Sequence, residues 1–203
     1  MAWYRCTGGN GGGAVAFPQI LDFEQDITGN TRTSYTTKTY SLNAGDTLVI
    51  AVMHRAELTT PQGFSVVAVR GYNNNQRITV MKYTATAAES KSVTVTQASS
   101  VRLSIYVWQM KNVSLSEATA LFKSGASKTT VTLDNTFRPT LIVFSNVYSG
   151  AWSSANGAQI IFSPSSSNFT AYALNMCTAY AQTLSFTAGG NEWCTVGVYI
   201  TEE

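Results

Sequence analysis

The chain reads the same way twice. From Ala44 the sequence runs AGDTLVIAVMHR, GFSVVAV, QRITVMKY, KSVTVTQ and RLSIYVWQM; from Phe137 it runs FRPTLIVFSNVY, GAQIIF, NFTAYAL, QTLSFTA and CTVGVYIT. Leu48 precedes Leu141 by 93 positions, Gly63 precedes Gly157 by 94, and Val93 and Val95 precede Leu184 and Phe186 by 91. Leu103, Ile105 and Val107 stand 91 before Cys194, Val196 and Val198. The small slips fall between segments, where loops change length. Five β-like segments in one order at a nearly constant offset indicate an internal duplication of one β-module. A duplicated module without catalytic motifs suits a surface or a spacer.

The segments alternate apolar and polar residues, and TTPQG, GYNNNQ, AAESK and ASS supply turns between them. Ahead of the first copy, FPQILDFEQDI predicts a half-buried strand with Leu21, Phe23 and Ile27 on one face and Asp22, Glu24 and Asp26 on the other. TSYTTKTYSL predicts a second strand. SLSEATALF, at Ser114–Phe122, carries a hint of helix, but it occupies the slot of Phe17–Ile27 and is read as strand-like. With no βαβ rhythm, the expected fold class is all-β: two tandem antiparallel β-sandwich units, immunoglobulin-like or jelly-roll-like, related by duplication. Residues 17–113 form the first unit and residues 114–203 the second. The alternative is one pseudo-symmetric jelly roll with a single core. No Pro/Gly linker separates Val113 from Ser114, so the units are expected to touch extensively.

Residues 1–16 stand apart as a glycine-rich anchor. Trp3, Tyr4, Arg5 and Cys6 make an aromatic and basic cluster ahead of GGNGGG, a tether composition. Trp3, Tyr4 and Arg5 are the candidate anchor, docking into a partner or a neighbouring subunit; the plain alternative is a disordered terminus.

Composition limits the function classes. Charged residues are 12% of the chain, about half the usual share, and the net charge of +2 comes without any basic run. Nucleic acid is therefore not an expected partner. Apolar runs are strand length, so no membrane span is expected, and MAWYRCTGG lacks the pattern of a signal peptide. Production in a cytoplasm, without export through the general secretory route, is expected. Cys6, Cys177 and Cys194 show neither CxxC nor zinc spacing. Cys194 replaces Leu103 of the first copy and is read as a small buried hydrophobe, with a Cys177–Cys194 bridge as the alternative.

Catalytic motifs are missing from the sequence. His54 is the one histidine, and no GxSxG elbow or cysteine-hydrolase signature accompanies it. It is read as a polar strand end that hydrogen-bonds its own loop, although His54, Arg55 and Glu57 do cluster. Asp22, Glu24 and Asp26 could gather Ca²⁺, but an acidic strand edge more often guards against edge pairing. No metal or other cofactor is expected. Binding is the open question. Tyr72 and Asn74 in one loop, and Tyr148, Trp152 and Asn156 in SNVYSGAWSSANG, combine aromatic faces with amides. Those are the tools for stacking on a sugar ring and bonding its hydroxyls. Trp152 plugging the end of a sandwich is the competing reading, while Trp108 and Trp193 fall in strands.

The pattern AGDTLVIAVMHRAELTTPQGFSVV, followed by RITVMKYTATAAESKSVTVTQASSVRLSIYVW, resembles β-sandwich modules of phage and prophage tail-region proteins. Its marks are a GD-initiated apolar strand, an HR at the strand end, a TP-x-G turn and a Thr-rich strand pair. WYRCTGGNGGG is similar to the aromatic-Cys-glycine starts of gut Firmicutes prophage proteins. The resemblance covers about half the chain and implies a non-enzymatic virion component: a tail-fibre, baseplate or head-decoration accessory. It also implies a homo-oligomer that meets other virion proteins. The second copy departs from the pattern, with Arg138-Pro139 in place of Gly45-Asp46 and no HR. A carbohydrate-binding protein using the aromatic and Asn loops on a cell-surface glycan is the alternative function.

Overall fold

In the computed structural model the described residues are 19–26, 30–72, 76–119, 122–125, 129–135, 140–146, 151–155, 159–162, 170–175, 182–188 and 192–201; residue 76, residues 129–188 and residue 201 are described by backbone alone. The fold is all-β, built from several antiparallel sheets, and every regular element among the described residues is a strand. The anchor candidates Trp3, Tyr4 and Arg5 lie outside the described residues, as do Cys6 and Cys177.

The first sheet is assembled from β1 (Gln19–Asp26), β4 (Thr47–His54), β6 (Ser65–Tyr72), β7 (Gln76–Thr84) and β9 (Thr94–Lys111), in the order β1-β9-β4-β7-β6. A second layer covers one face of it. There β2 (Thr31–Thr36) and β5 (Leu58–Thr59) pair with the early part of β9, beside a ribbon of β3 (Tyr40–Leu42) and β8 (Glu89–Lys91).

Two predicted boundaries move. KSVTVTQ and RLSIYVWQM, expected as separate strands around an ASS turn, belong to one 18-residue strand that serves both layers. Gln97 explains how the chain turns that corner. Its Nε2 donates to the carbonyls of Arg32 and Val101, each at 2.7 Å, where β2 also carries a register shift. Conversely TSYTTKTYSL splits into β2 and β3, because Thr37 leaves the ladder and bonds Val93 through both its amide and its hydroxyl.

The GD motif has a structural reason. Gly45 sits at φ +87°, in the left-handed region that favours glycine, and closes the turn into β4. Asp46 Oδ2 then accepts from the Asn43 amide at 3.0 Å and from Gln109 Nε2 at 2.9 Å, tying the turn to β9.

In the second half, β10 (Ser114–Glu117), β13 (Thr140–Asn146), β15 (Gln159–Phe162), β16 (Thr170–Asn175) and β18 (Trp193–Thr201) lie in the order β10-β18-β13-β16-β15. β11 (Lys123–Gly125) also pairs with β18, and β12 (Thr129–Asn135), β17 (Gln182–Ala188) and β14 (Ala151–Ala155) form a three-stranded sheet. SLSEATALF is strand only over Ser114–Glu117. A turn closed by the Phe122 amide on the Thr119 carbonyl, at 3.1 Å, interrupts it before β11 resumes the edge.

β4 is buried at every position, because both faces of its sheet are covered. On one face Leu48, Ile50 and Val52 meet Leu103, Ile105, Val107, Met81, Val93 and Val95 from the covering layer side. On the other, Val49, Ala51, Met53, Ile78, Val80, Tyr106 and Trp108 meet Cys194, Val196, Val198 and Ile200 of β18. Residues of both halves therefore share a core. Phe23 packs on it, with ring centroids 5.9 Å from Trp108 and 6.5 Å from Tyr106. Leu21, expected beside Phe23, is 45% exposed, because a register shift between Ile20 and Asp22 turns it outward.

Candidate functional site

One buried polar arrangement of the first unit begins at His54. Alternation along β4 places its ring on the same face as Leu48, Ile50 and Val52, at the strand end, with 4% exposure. Nδ1 lies 2.7 Å from the Ala56 carbonyl and Nε2 2.9 Å from Thr79 Oγ1. A carbonyl only accepts, so Nδ1 carries the proton and Nε2 receives the threonine hydroxyl. Burial, with the charge of Arg77 in register across the strand pair, lowers the imidazole pKa; the Ala56 bond opposes this only in part. The ring is thus a neutral bracket for its loop, as the sequence suggested.

A cleft of about 420 Å³ opens above this bracket. β6 forms one wall with Val66, Val69, Arg70 and Gly71, and Glu57, Leu58 and Thr60 form the other. Arg77 and Thr79 come from β7, and Phe122 reaches in from the second half. The cleft exists because the covering layer stops short of edge strand β6, which leaves Val66 and Val69 49% and 48% exposed. A register shift between Val66 and Ala68 brings these two valines to one face, where strict alternation would separate them. Arg70 is held on three sides. Its guanidinium pairs with Glu117 at 2.5 Å, donates to the Val69 carbonyl at 2.6 Å and lies 5.6 Å from the centroid of the Phe122 ring.

A second polar cluster occupies the opposite edge. Glu24 accepts from Tyr35 Oη at 2.5 Å, Tyr40 Oη at 3.0 Å and the Lys38 amide at 3.0 Å. Asp22 pairs with Lys38 Nζ at 2.7 Å and Asp26 with Arg32 at 2.9 Å. Burial and the Glu24 carboxylate push the phenols of Tyr35 and Tyr40 well above their ordinary range. Burial raises Asp22, but the hydrogen bonds from Lys38 and the Phe23 amide and the Lys38 charge outweigh it and leave the carboxyl below its usual value. The three carboxylates therefore tie edge strand β1 to the covering layer, with the Asp22–Lys38 pair at the surface. Among the described residues no group of three or more His, Cys, Asp or Glu is placed to hold a metal ion.

The sequence candidates fall unevenly. Tyr72 ends β6 half-buried, in register with Gln76. Asn74, Tyr148 and Asn156 lie outside the described residues. Trp152 is not in a loop: its backbone belongs to β14, in register with Phe186. Cys194 is fully buried, and burial pushes its thiol up to about 12, with a backbone hydrogen bond from Tyr72 acting against the shift. Val66, Val69, Arg70, Arg77, Thr79 and Phe122 carried no sequence signal as a group, since a bulge and an edge created their cleft. No helix among the described residues is long and apolar enough to cross a membrane.

No family model matches the chain, and no curated protein matches it. Among solved structures, the conserved protein of unknown function PA5104 from Pseudomonas aeruginosa PAO1 is similar over 96% of this chain and 85% of its own, at 14% identity and a TM-score of 0.39.

Proposed function

We propose that this chain is a non-enzymatic structural or adhesive component of a phage or prophage particle, such as a tail-fibre, baseplate or head-decoration accessory. In this reading it consists of two tandem sandwich units that arose by duplication. The repeated strand orders, β1-β9-β4-β7-β6 and β10-β18-β13-β16-β15, support the duplication. The observation that carries the scaffold role is the packing of the first sheet, whose central strand β4 is covered on both faces, one of them by the second half. The placement of His54 agrees with it, since both ring nitrogens already serve the fold. The particle assignment draws on the tail-region resemblance of AGDTLVIAVMHR and the segments after it. The N-terminal Trp3-Tyr4-Arg5 peptide anchors the chain, which is made in the bacterial cytoplasm and assembles as a homo-oligomer with other virion proteins.

The test is to induce the bacterium that carries the gene, purify particles on a density gradient, and probe them with antibody and immunogold against this chain. Co-sedimentation with gold on a tail or head is expected. A chain that remains in the particle-free fraction overturns the assignment.

A further inference from the structure

We infer that the cleft beside β6 binds a neutral saccharide. Its volume of about 420 Å³ falls in the range of roughly 300–1,000 Å³ typical of small-ligand sites. Val66 and Val69 make an aliphatic strip on one wall, faced by Leu58 on the other and suited to the C–H face of a sugar ring. The lining also includes Glu57, Thr60, Arg70 and Arg77, the Arg70 guanidinium being turned to Glu117 and Phe122 of the second half.

The charge balance selects the ligand class. Two guanidiniums are matched by Glu57 in the lining and by Glu117 on Arg70, and the imidazole at the floor is held neutral by its surroundings. A phosphate or polyanion needs a net positive site, which this is not. A purely apolar ligand would strip water from the exposed Glu57 without replacing its hydrogen bonds. Sugar hydroxyls both donate and accept, so one ring can bond acidic and basic groups of the lining together while its carbon face covers the valines. Arg70 is already fixed by Glu117, Val69 and Phe122, which reduces the ordering cost of binding.

This inference goes beyond the particle assignment and is independent of it: binding is read on the isolated chain, and the chain's place in a particle is read by sedimentation. The full-length protein is applied to an array of neutral and acidic glycans, and the best binder is titrated by calorimetry. Val69→Trp fills the cleft from a half-exposed position, and Glu57→Gln keeps shape while removing the strongest acceptor. Glu57→Gln is expected to weaken binding about tenfold or more, the loss that follows from one hydrogen bond to a charged group, and Val69→Trp at least as much by occupying the cleft. Melting midpoints should stay at the wild-type value, and Trp152→Ala should bind as wild type. A blank array overturns the inference, as does binding confined to acidic glycans. Wild-type affinity in both cleft variants would place the sugar elsewhere and overturn it equally.

Discussion

Thr79 donates its hydroxyl to Nε2 of His54 across 2.9 Å in a region closed to solvent. The bond fixes which imidazole nitrogen is protonated and pins the β4 end to β7. Thr79→Val leaves Nε2 buried without its donor, and a loss of about 1–3 kcal/mol is expected in urea unfolding. The same bracket sets a pH dependence. The folded pKa of His54 lies below the ordinary histidine value of 6.5, so the unfolded chain binds more protons at mildly acid pH. Stability is fully present above 6.5 and falls as pH drops from there toward the folded value. His54→Gln should flatten that slope; an unchanged slope in the variant would assign it to other groups.

Glu24 gathers two phenols and a backbone amide, and the phenols record it. Their folded pKa values stand above the ordinary 10.0, so this contribution is present below pH 10 and is lost as pH rises beyond it. Spectrophotometric titration of the ten tyrosines should show a late-ionising fraction that shrinks when Tyr35 and Tyr40 are replaced by Phe. Glu24→Gln should bring the late phase to lower pH.

Gly125 leaves no room beside Trp193. A Cβ there would lie 2.8 Å from the indole, whose residue is 5% exposed. Gly125→Ala is expected to cost about 1–3 kcal/mol by forcing the ring aside. Part of that loss should return in the double variant with Trp193→Phe, which a thermodynamic cycle on melting data will read.

The face built from Val49, Ala51, Tyr106 and Trp108 is covered by β18. Residues 17–113 expressed alone would expose it, and light scattering should find that piece self-associated or aggregated. Trp108→Ala in the full chain should lower stability by about 3–5 kcal/mol. A stable monomer of residues 17–113 would show that the shared core is dispensable.

Local pattern predicted β4 because its run of apolar residues needs no partner to be recognised, and it predicted the turn at Gly45 because few residues tolerate that φ. Cys194 was legible as a buried residue because it takes the place of Leu103 in the repeat. The single 18-residue β9 was not legible, since Ala98, Ser99 and Ser100 suit a turn as well as a bend, and Gln97 settles the matter only by reaching Arg32, 65 residues away. Trp152 looked like a loop residue because only pairing with β17 makes Ala151–Ala155 a strand.

The sequence by itself determined the all-β class, the apolar run of β4, the turn at Gly45 and the burial of Cys194. Those depend on residue types a few positions apart. Only the tertiary structure decided that β4 is covered on both faces, that the carboxylates of Asp22, Glu24 and Asp26 tie β1 to the covering layer, and that a cleft opens where that layer ends short of β6. Those outcomes depend on bulges and on contacts between distant strands. A one-residue register shift moves a side chain to the opposite face, and no local pattern reports it.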